Sequence, residues 1–383
     1  MIPAAYAELN LEALQHNLDR VRHYAPDAKI MAVIKANGYG HGLVRIAQAL
    51  QNVDGFAVAR VDEGIRLRNA GVKNRIAILS GFTCAEELDK LLNYQLDAVV
   101  HSFFQLEILE SRVEQDACEI WLKLDTGMNR LGFKPHEFNA VYQRLNQCSI
   151  IKKPIRLMTH LANADDIQDA STLQQISLFK DTLATLVPKL QLGNGDKLQL
   201  GNGDKLHLVN ECSIANSAGI LAWKEALSDW VRPGVMLYGI SPFSDSTGEQ
   251  LGLKPIMSLH SRLISVKTLE QGDKVGYSGS WICEKPTTLG VVAIGYADGY
   301  PRYAKAGTPV LVNGQRVPLI GKVSMDMITV DLATQPHAKP GDPVTLWGDG
   351  LAVEEIARCA DTIPYTLVCG VTQRVHLVDK AIS

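Results

Sequence analysis

Between residues 30 and 232 short β-branched runs alternate with stretches of helical patterning, the signature of repeated βα units. The runs fall at 30–34 (IMAVI), 55–59 (GFAVA), 75–79 (RIAIL), 96–100 (LDAVV), 119–124 (EIWLKL), 155–159 (IRLMT), 205–209 (KLHLV) and 229–232 (DWVR). Helical patterning fills the gaps, for example over 84–94, 135–146 and 169–187. Eight such units predict a (β/α)8 barrel, which typically needs about 250 residues. An open doubly wound sheet is the alternative, but it would not need eight regular units. From about residue 241 proline and glycine punctuate short strands at 256–268, 287–294, 308–312, 316–320, 327–332 and 343–347, with a helical patch near 351–360. The expected organisation is a barrel over 10–240 and a mainly-β C-terminal domain over 241–383, joined by the polar stretch SPFSDSTGEQLG at 241–252. The opening residues read as a strand at 4–9 running into a helix.

KLQLGNGD occurs at 189–196 and again, identically, at 197–204. Two copies indicate a tandem duplication rather than a solenoid, which would need more. The alternation of Leu and Gln with GNGD turns suits either a small β-meander or a loop.

Composition adds exclusions. The chain has 383 residues, 46% hydrophobic and 21% charged, with a net charge of −3, which makes no case for binding nucleic acid or an anionic membrane. No apolar run reaches the length of a membrane span, and the start MIPAAYAELN lacks the basic and apolar regions of a secretory signal. The seven cysteines, Cys84, Cys118, Cys148, Cys212, Cys283, Cys359 and Cys369, are scattered and never in CxxC spacing. Reduced thiols in a cytoplasm are expected, and no metal site.

Barrel enzymes place their chemistry at the C-terminal ends of strands, and several polar residues fall there. Lys35 ends the first run, Lys123 and Asp125 the fifth, and His160 the sixth; Asn216 and Ser217 follow the seventh, and Arg232 closes the eighth. Lys35 opens the segment VIKANGYGHG (33–42). A lysine at the end of a buried strand is partly desolvated, which lowers its pKa and frees an amine for Schiff-base chemistry with an aldehyde such as pyridoxal 5′-phosphate (PLP). Gly38, Gly40 and Gly42 would let the backbone approach a bulky group, and Tyr39 offers a hydroxyl to an anion. On spacing alone, a surface lysine before an ordinary βα loop remains an equal alternative.

VIKANGYGHG closely resembles the PLP-attachment segment of bacterial alanine racemases, and the resemblance continues along nearly the whole chain. It implies a PLP-dependent racemisation of alanine, supplying D-alanine for peptidoglycan, by a homodimer with shared active sites. In that family the N-terminal strand packs with the β-domain. NSAG (216–219) and RPGVMLYG (232–239) match the phosphate-binding segments, so Ser217, Gly234 and Val235 are expected to hold the phosphate with Tyr39 and Tyr365; Asn216 belongs to the same cofactor site. Arg232 matches an arginine that donates to the pyridine nitrogen, where barrel-type amino-acid decarboxylases use a glutamate. Racemisation needs a base on each face of a planar carbanion. The resemblance assigns one face to Lys35 and the other to Tyr277 of VGYSGSW, from the partner subunit. It places His160 beside that tyrosine, linked to Arg232 and facing the PLP ring.

WLKLDTGMNRLGF (121–133) matches a further segment. Arg130 in it would bind substrate, and Lys123 sits where several members carry a carbamylated lysine that fixes this arginine. GKVSMDMITVD (321–331) and IGYADGYPR (294–302) resemble segments that reach the active site from a second subunit. Met325 and Asp326 would bind the substrate carboxylate through main-chain N–H and side-chain packing, and Tyr296 would narrow the entrance with Arg302 further out. Two other readings share these features. A broader racemase for serine or basic amino acids belongs to enzymes often exported with signal peptides and disulfides, which are absent here. A non-catalytic PLP-binding barrel would lack the β-domain and Tyr277.

Overall fold

The structure, a computed structural model, describes residues 4–112, 117–186 and 211–380. It divides into two compact units, Val21–Lys35 with Gln51–Gly234, and Met1–Arg20 with Ala36–Leu50 and Val235–Ser383. The first strand, β1 (Tyr6–Leu9), belongs to the second of these.

The other unit is a closed barrel. Its strands are β2 (Lys29–Val33), β3 (Gly55–Val58), β4 (Arg75–Ile78), β5 (Asp97–Val100), β6 (Ile120–Lys123), β7 (Arg156–Met158), β8 (Cys212–Ser213) and β9 (Trp230–Val231). All neighbours are parallel, and β2 closes on β9 through Lys29↔Trp230 and Ile30↔Val231. Residues of both parities are buried along β3, β5 and β6, because helices cover one face and the barrel interior the other. That is why the sequence shows runs here and not alternation. The helix Pro135–Gln147 carries Phe138, Val141 and Leu145 at helical spacing, and all three are buried. Seven of the eight expected strands coincide with barrel strands. The seventh position is taken by Cys212–Ser213, while the expected 205–209 and the tandem repeat at 189–204 lie outside the described residues.

The N-terminal ends of the strands carry an alternating chain of charges. Lys29 pairs with Glu211, Glu211 with Arg156, Arg156 with Glu119, Glu119 with Arg75, and Arg75 with Asp97. Two indoles join it: Trp121 Nε1 donates to Asp97 at 3.0 Å and Trp230 Nε1 to Glu211 at 3.1 Å. Glu119 and Glu211 are partly buried, yet their cationic partners hold both carboxyls down at about 2.

In the second unit the strands are β10 (Met257–Leu269), β11 (Lys274–Val275), β12 (Trp281–Ile282), β13 (Thr287–Val292), β14 (Pro309–Val312), β15 (Gln315–Ile320), β16 (Ile328–Asp331), β17 (Pro343–Trp347) and β18 (His376–Asp379). The order β13-β16-β15-β14-β17-β10-β1-β18 is closed by a further β10–β13 pairing, so six strands form a circuit without free edges. The long strand β10 serves both β17 and β13 by shifting register at Leu259/His260 and at Leu263/Ser265. β14 and β15 are joined by Asn313-Gly314, both with positive φ, the two-residue hairpin turn that fits strand twist. β1 lies between β10, antiparallel, and β18, parallel, as the resemblance implied.

The same unit holds the turn that follows Lys35. Ala36, Asn37, Gly38 and Tyr39 all have left-handed backbone, with φ of 53, 55, 64 and 51°. For each residue other than glycine this costs about 1–2 kcal/mol. The turn is held by Gly40 N–H to Ala36 O (3.1 Å), Gly42 N–H to Asn37 O (2.8 Å) and Leu43 N–H to the Asn37 side chain (3.1 Å). His41 completes it: its Nδ1 lies 2.8 Å from Tyr39 O and 3.1 Å from Gly38 O. Carbonyls only accept, so this nitrogen carries the proton. Burial pushes the imidazole down to about 4, against the pull of those two carbonyls.

A pH dependence follows. The native state refuses a proton on His41 that the unfolded chain accepts below about 6.5, so stability from this group is complete above 6.5 and lost as pH falls to 4, by roughly 3 kcal/mol. Glu119 and Glu211, depressed from 4.5 to about 2, add loss at lower pH, while Asp97, raised by burial, acts in the opposite sense. Urea midpoints measured from pH 7 to pH 4 should decline for the wild type. A His41→Gln variant, which keeps an N–H donor but does not titrate, should show a flatter profile. Equal slopes for the two proteins would refute the assignment to His41.

Candidate active site

At the C-terminal ends of the barrel strands the sequence has placed basic side chains one after another. Lys35 follows β2 by two residues and is half-buried; Lys123 is the last residue of β6 and is buried. His160 stands two residues beyond β7, and Arg232 directly follows β9 in full burial. Arg130, on the loop after β6, is exposed. These five act on one another. Burial first, then the charges of Arg232, Lys123, Arg130 and Lys35, hold His160 well below its ordinary range, so it is neutral at pH 7. Burial, Arg232, Arg130 and Lys35 push Lys123 down to about 8, partly opposed by Asp125.

The Arg232 guanidinium is fixed by donation to Ser213 Oγ, to Thr159 O, and to Ile214 O at 3.1 Å. Burial takes it down only to about 10, so it stays protonated. The expected link between Arg232 and His160 is electrostatic here, since those hydrogen bonds run to other groups. Asn216 caps the short helix Ser217–Ala222 by accepting from Gly219 N–H at 2.9 Å. Ser217 Oγ accepts from Gly234 N–H at 2.9 Å, so two residues expected at one phosphate are in contact.

In the second unit Val235 opens the 3-10 turn Val235–Tyr238. Tyr39 is buried, stacked on Tyr238 at 4.7 Å and 6.0 Å from Tyr365 between ring centroids. Burial and the neighbouring Tyr365 raise the Tyr39 hydroxyl well above its usual range, which keeps it a hydrogen-bond donor. The space that Gly40 leaves is not open to a ligand: a Cβ there would lie 2.0 Å from Val368 O, so the close approach is to the chain's own backbone. The expectation that this glycine faces a bulky ligand is corrected accordingly.

Tyr277 begins the single turn Tyr277–Gly279 and is 65% exposed. Tyr296, Met325 and Asp326 are brought together by Tyr296 N–H to Ser324 O and Ala297 N–H to Met325 O, both 3.0 Å, and Arg302 lies 6.0 Å from the Tyr296 ring. Gly295 permits this contact, because a Cβ there would sit 2.3 Å from Met325 O. Arg374, which the sequence did not single out, bonds Asp326 at 2.8 Å and Asp298 at 3.4 Å. His41 and Lys134 also escaped notice, and no periodic spacing marks any of the three. Among the described residues no group of His, Cys, Asp or Glu is placed to hold a metal ion, and no helix is long and apolar enough to cross a membrane.

The chain is similar to known proteins along nearly its whole length. The alanine racemase N-terminal domain family matches residues 9–242, and the alanine racemase C-terminal domain family matches residues 256–378. The alanine racemase of Shewanella sediminis (strain HAW-EB3) is 48% identical over 375 residues, 98% of this chain and 99% of that protein. A biosynthetic alanine racemase of Escherichia coli O6:H1 is 45% identical, covering 98% of each chain. Among solved structures, the biosynthetic alanine racemase from Pseudomonas aeruginosa superposes with a TM-score of 0.89 at 40% identity over the full length of both chains. By sequence over nearly its whole length and by fold, the chain belongs to the alanine racemase family.

Proposed function

We propose that this chain is a PLP-dependent racemase that interconverts L- and D-alanine, working in the cytoplasm as a homodimer and supplying D-alanine for peptidoglycan. The observation that carries the reading is the gathering of Lys35, Lys123, Arg130 and Arg232 around a neutral His160. Basic groups on one rim suit the carboxylate of an amino acid, and Ser217, in contact with Gly234, offers a hydroxyl to a phosphate, so the residues fit the cofactor that the family implies. On this reading Lys35 Nζ holds the cofactor covalently, and Arg232 and His160 meet its ring. Tyr39, Asn216, Ser217, Gly234, Val235 and Tyr365 belong to its phosphate site. When bound, the cofactor supplies an electron sink that acidifies the Cα–H of alanine.

The remaining work falls to side chains. Lys35 Nζ exchanges the Cα proton on one face, and Oη of Tyr277 of the partner subunit exchanges it on the other. Arg232 keeps its proton, so as a donor to the ring nitrogen it would leave that nitrogen unprotonated, chemistry that would favour return of the proton to Cα over transamination. Arg130 holds the substrate carboxylate with main-chain N–H groups at Met325 and Asp326 contributed by the second subunit, whose Tyr296, with Arg302 further out, narrows the entrance in favour of a methyl side chain. Lys123, with its amine at about 8, is able to add to CO2 with release of a proton. The carbamate would turn a cation beside Arg130 into an anion.

Lys35→Ala should reduce racemisation to background, followed as loss of optical activity of L-alanine; a rate well above background would sink the role of Lys35. Arg232→Glu should retain PLP and produce more pyruvate per racemisation event, and unchanged pyruvate would count against the arginine's role. A third test addresses the dimer. Lys35→Ala and Tyr277→Phe, each inactive, should recover about a quarter of wild-type activity when mixed under subunit exchange, since half the dimers are hybrids with one intact site of two. Absence of recovery, with exchange verified by mass spectrometry, would argue that the sites are not shared.

A further inference from the structure

The loop after β6 is built around one buried carboxylate. Asp125 is 6% exposed. Its Oδ1 accepts from Gly127 N–H at 3.1 Å and Asn129 N–H at 3.0 Å, and its Oδ2 accepts from Lys134 Nζ at 2.7 Å. Lys134 Nζ also donates to Asn129 Oδ1 at 2.6 Å, and Asn129 Nδ2 donates to Gly127 O at 3.0 Å. These bonds hold Asn129 in left-handed backbone with a φ of 56°. Behind it the loop returns to the strand end, with Asp125 N–H to Phe133 O at 2.9 Å and Phe133 N–H to Lys123 O at 3.0 Å. Gly132 has a φ of 123°, and a Cβ there would lie 2.7 Å from Asp125 N, so the return leaves no room for a side chain.

Arg130 stands between these two anchored points, Asn129 and Gly132. Its charge is repelled by that of Lys123, and a loose loop would let it swing out to solvent. We propose that Asp125, clamped by Lys134, is a positioning residue that holds Arg130 over the rim by folding its loop. The clamp acts on the backbone on either side of Arg130, so it operates whether or not Lys123 is modified. Burial would raise the Asp125 carboxyl, but Lys134 and the N–H groups of Asn129 and Gly127 outweigh it and keep the group ionised. The proposal rests on the reading that Arg130 binds substrate.

The test uses the full-length PLP-loaded enzyme and the separate constants for L-alanine. Asp125→Asn keeps an acceptor for the two N–H groups but loses the charge pair, and Lys134→Met removes the other half. Each should raise KM roughly tenfold with a smaller change in kcat, as expected when a group is misplaced without being removed. The double variant should be no worse than the worse single one, and Lys134→Arg should restore most of the loss. Melting temperatures within a few degrees of wild type, expected because Lys134 is partly exposed, separate this from general unfolding. Unchanged KM in both single variants, with Arg130→Ala still impaired, would overturn the clamp alone. An Arg130→Ala variant with wild-type constants would remove the reading of Arg130 and the proposal together.

Discussion

Repulsion among like charges is the constraint around which the barrel is arranged. Lys35, Lys123, Arg130 and Arg232 all bear on His160. Between unit charges a few ångströms apart the cost is near 1 kcal/mol in water and several times that close to a protein surface. A chain free to relax would send these side chains outward. The barrel prevents it: Lys123 is fixed at the end of a strand with neighbours on both sides, and Arg232 is tied by Ser213, Thr159 and Ile214. The result is a rim that lowers the proton affinity of His160 and Lys123 and favours an anion.

Getting Lys35 to that rim requires the chain to change direction at once. The turn from Ala36 to Gly42 does so with left-handed residues, three of which are not glycine. Such strain persists where surrounding bonds over-determine it and is common beside functional groups. Here His41 supplies part of the determination through two carbonyls, and Gly40 supplies the rest by letting the Val368 carbonyl come close. His41 is thus neutral, buried and engaged in holding backbone.

Much of the architecture was legible because strand burial on both faces writes itself as β-branched runs, and the β-unit as short strands between Gly and Pro. Barrel strand β8 was not, since two residues, Cys212 and Ser213, carry no periodicity, and KLHLV offered a stronger pattern nearby. β18 escaped for the same reason, four residues whose place is set by pairing with β1. The site was legible as residue types at strand ends, and the family resemblance supplied roles that spacing alone leaves open. What joins Arg374 to Asp326, or Lys134 to Asp125, is long side chains reaching across loops, which leaves no repeat in sequence.

The two ends of the barrel treat charge in opposite ways. At the N-terminal ends signs alternate from Lys29 to Asp97, and each group has a partner of opposite charge. At the C-terminal ends the signs are alike. The first end supplies a carboxylate for each of its cations and the rim does not, so charge is satisfied at one end and left in excess at the other. Asp125 sits on the binding end yet follows the rule of the other. Its carboxylate is taken up by Lys134 and two backbone N–H groups, so it opposes the lowered pKa of Lys123 only in part. A fully unpaired anion in that position would neutralise the rim and weaken its hold on an anionic ligand. Pairing it with Lys134 lets the loop have its anchor while the rim keeps its charge.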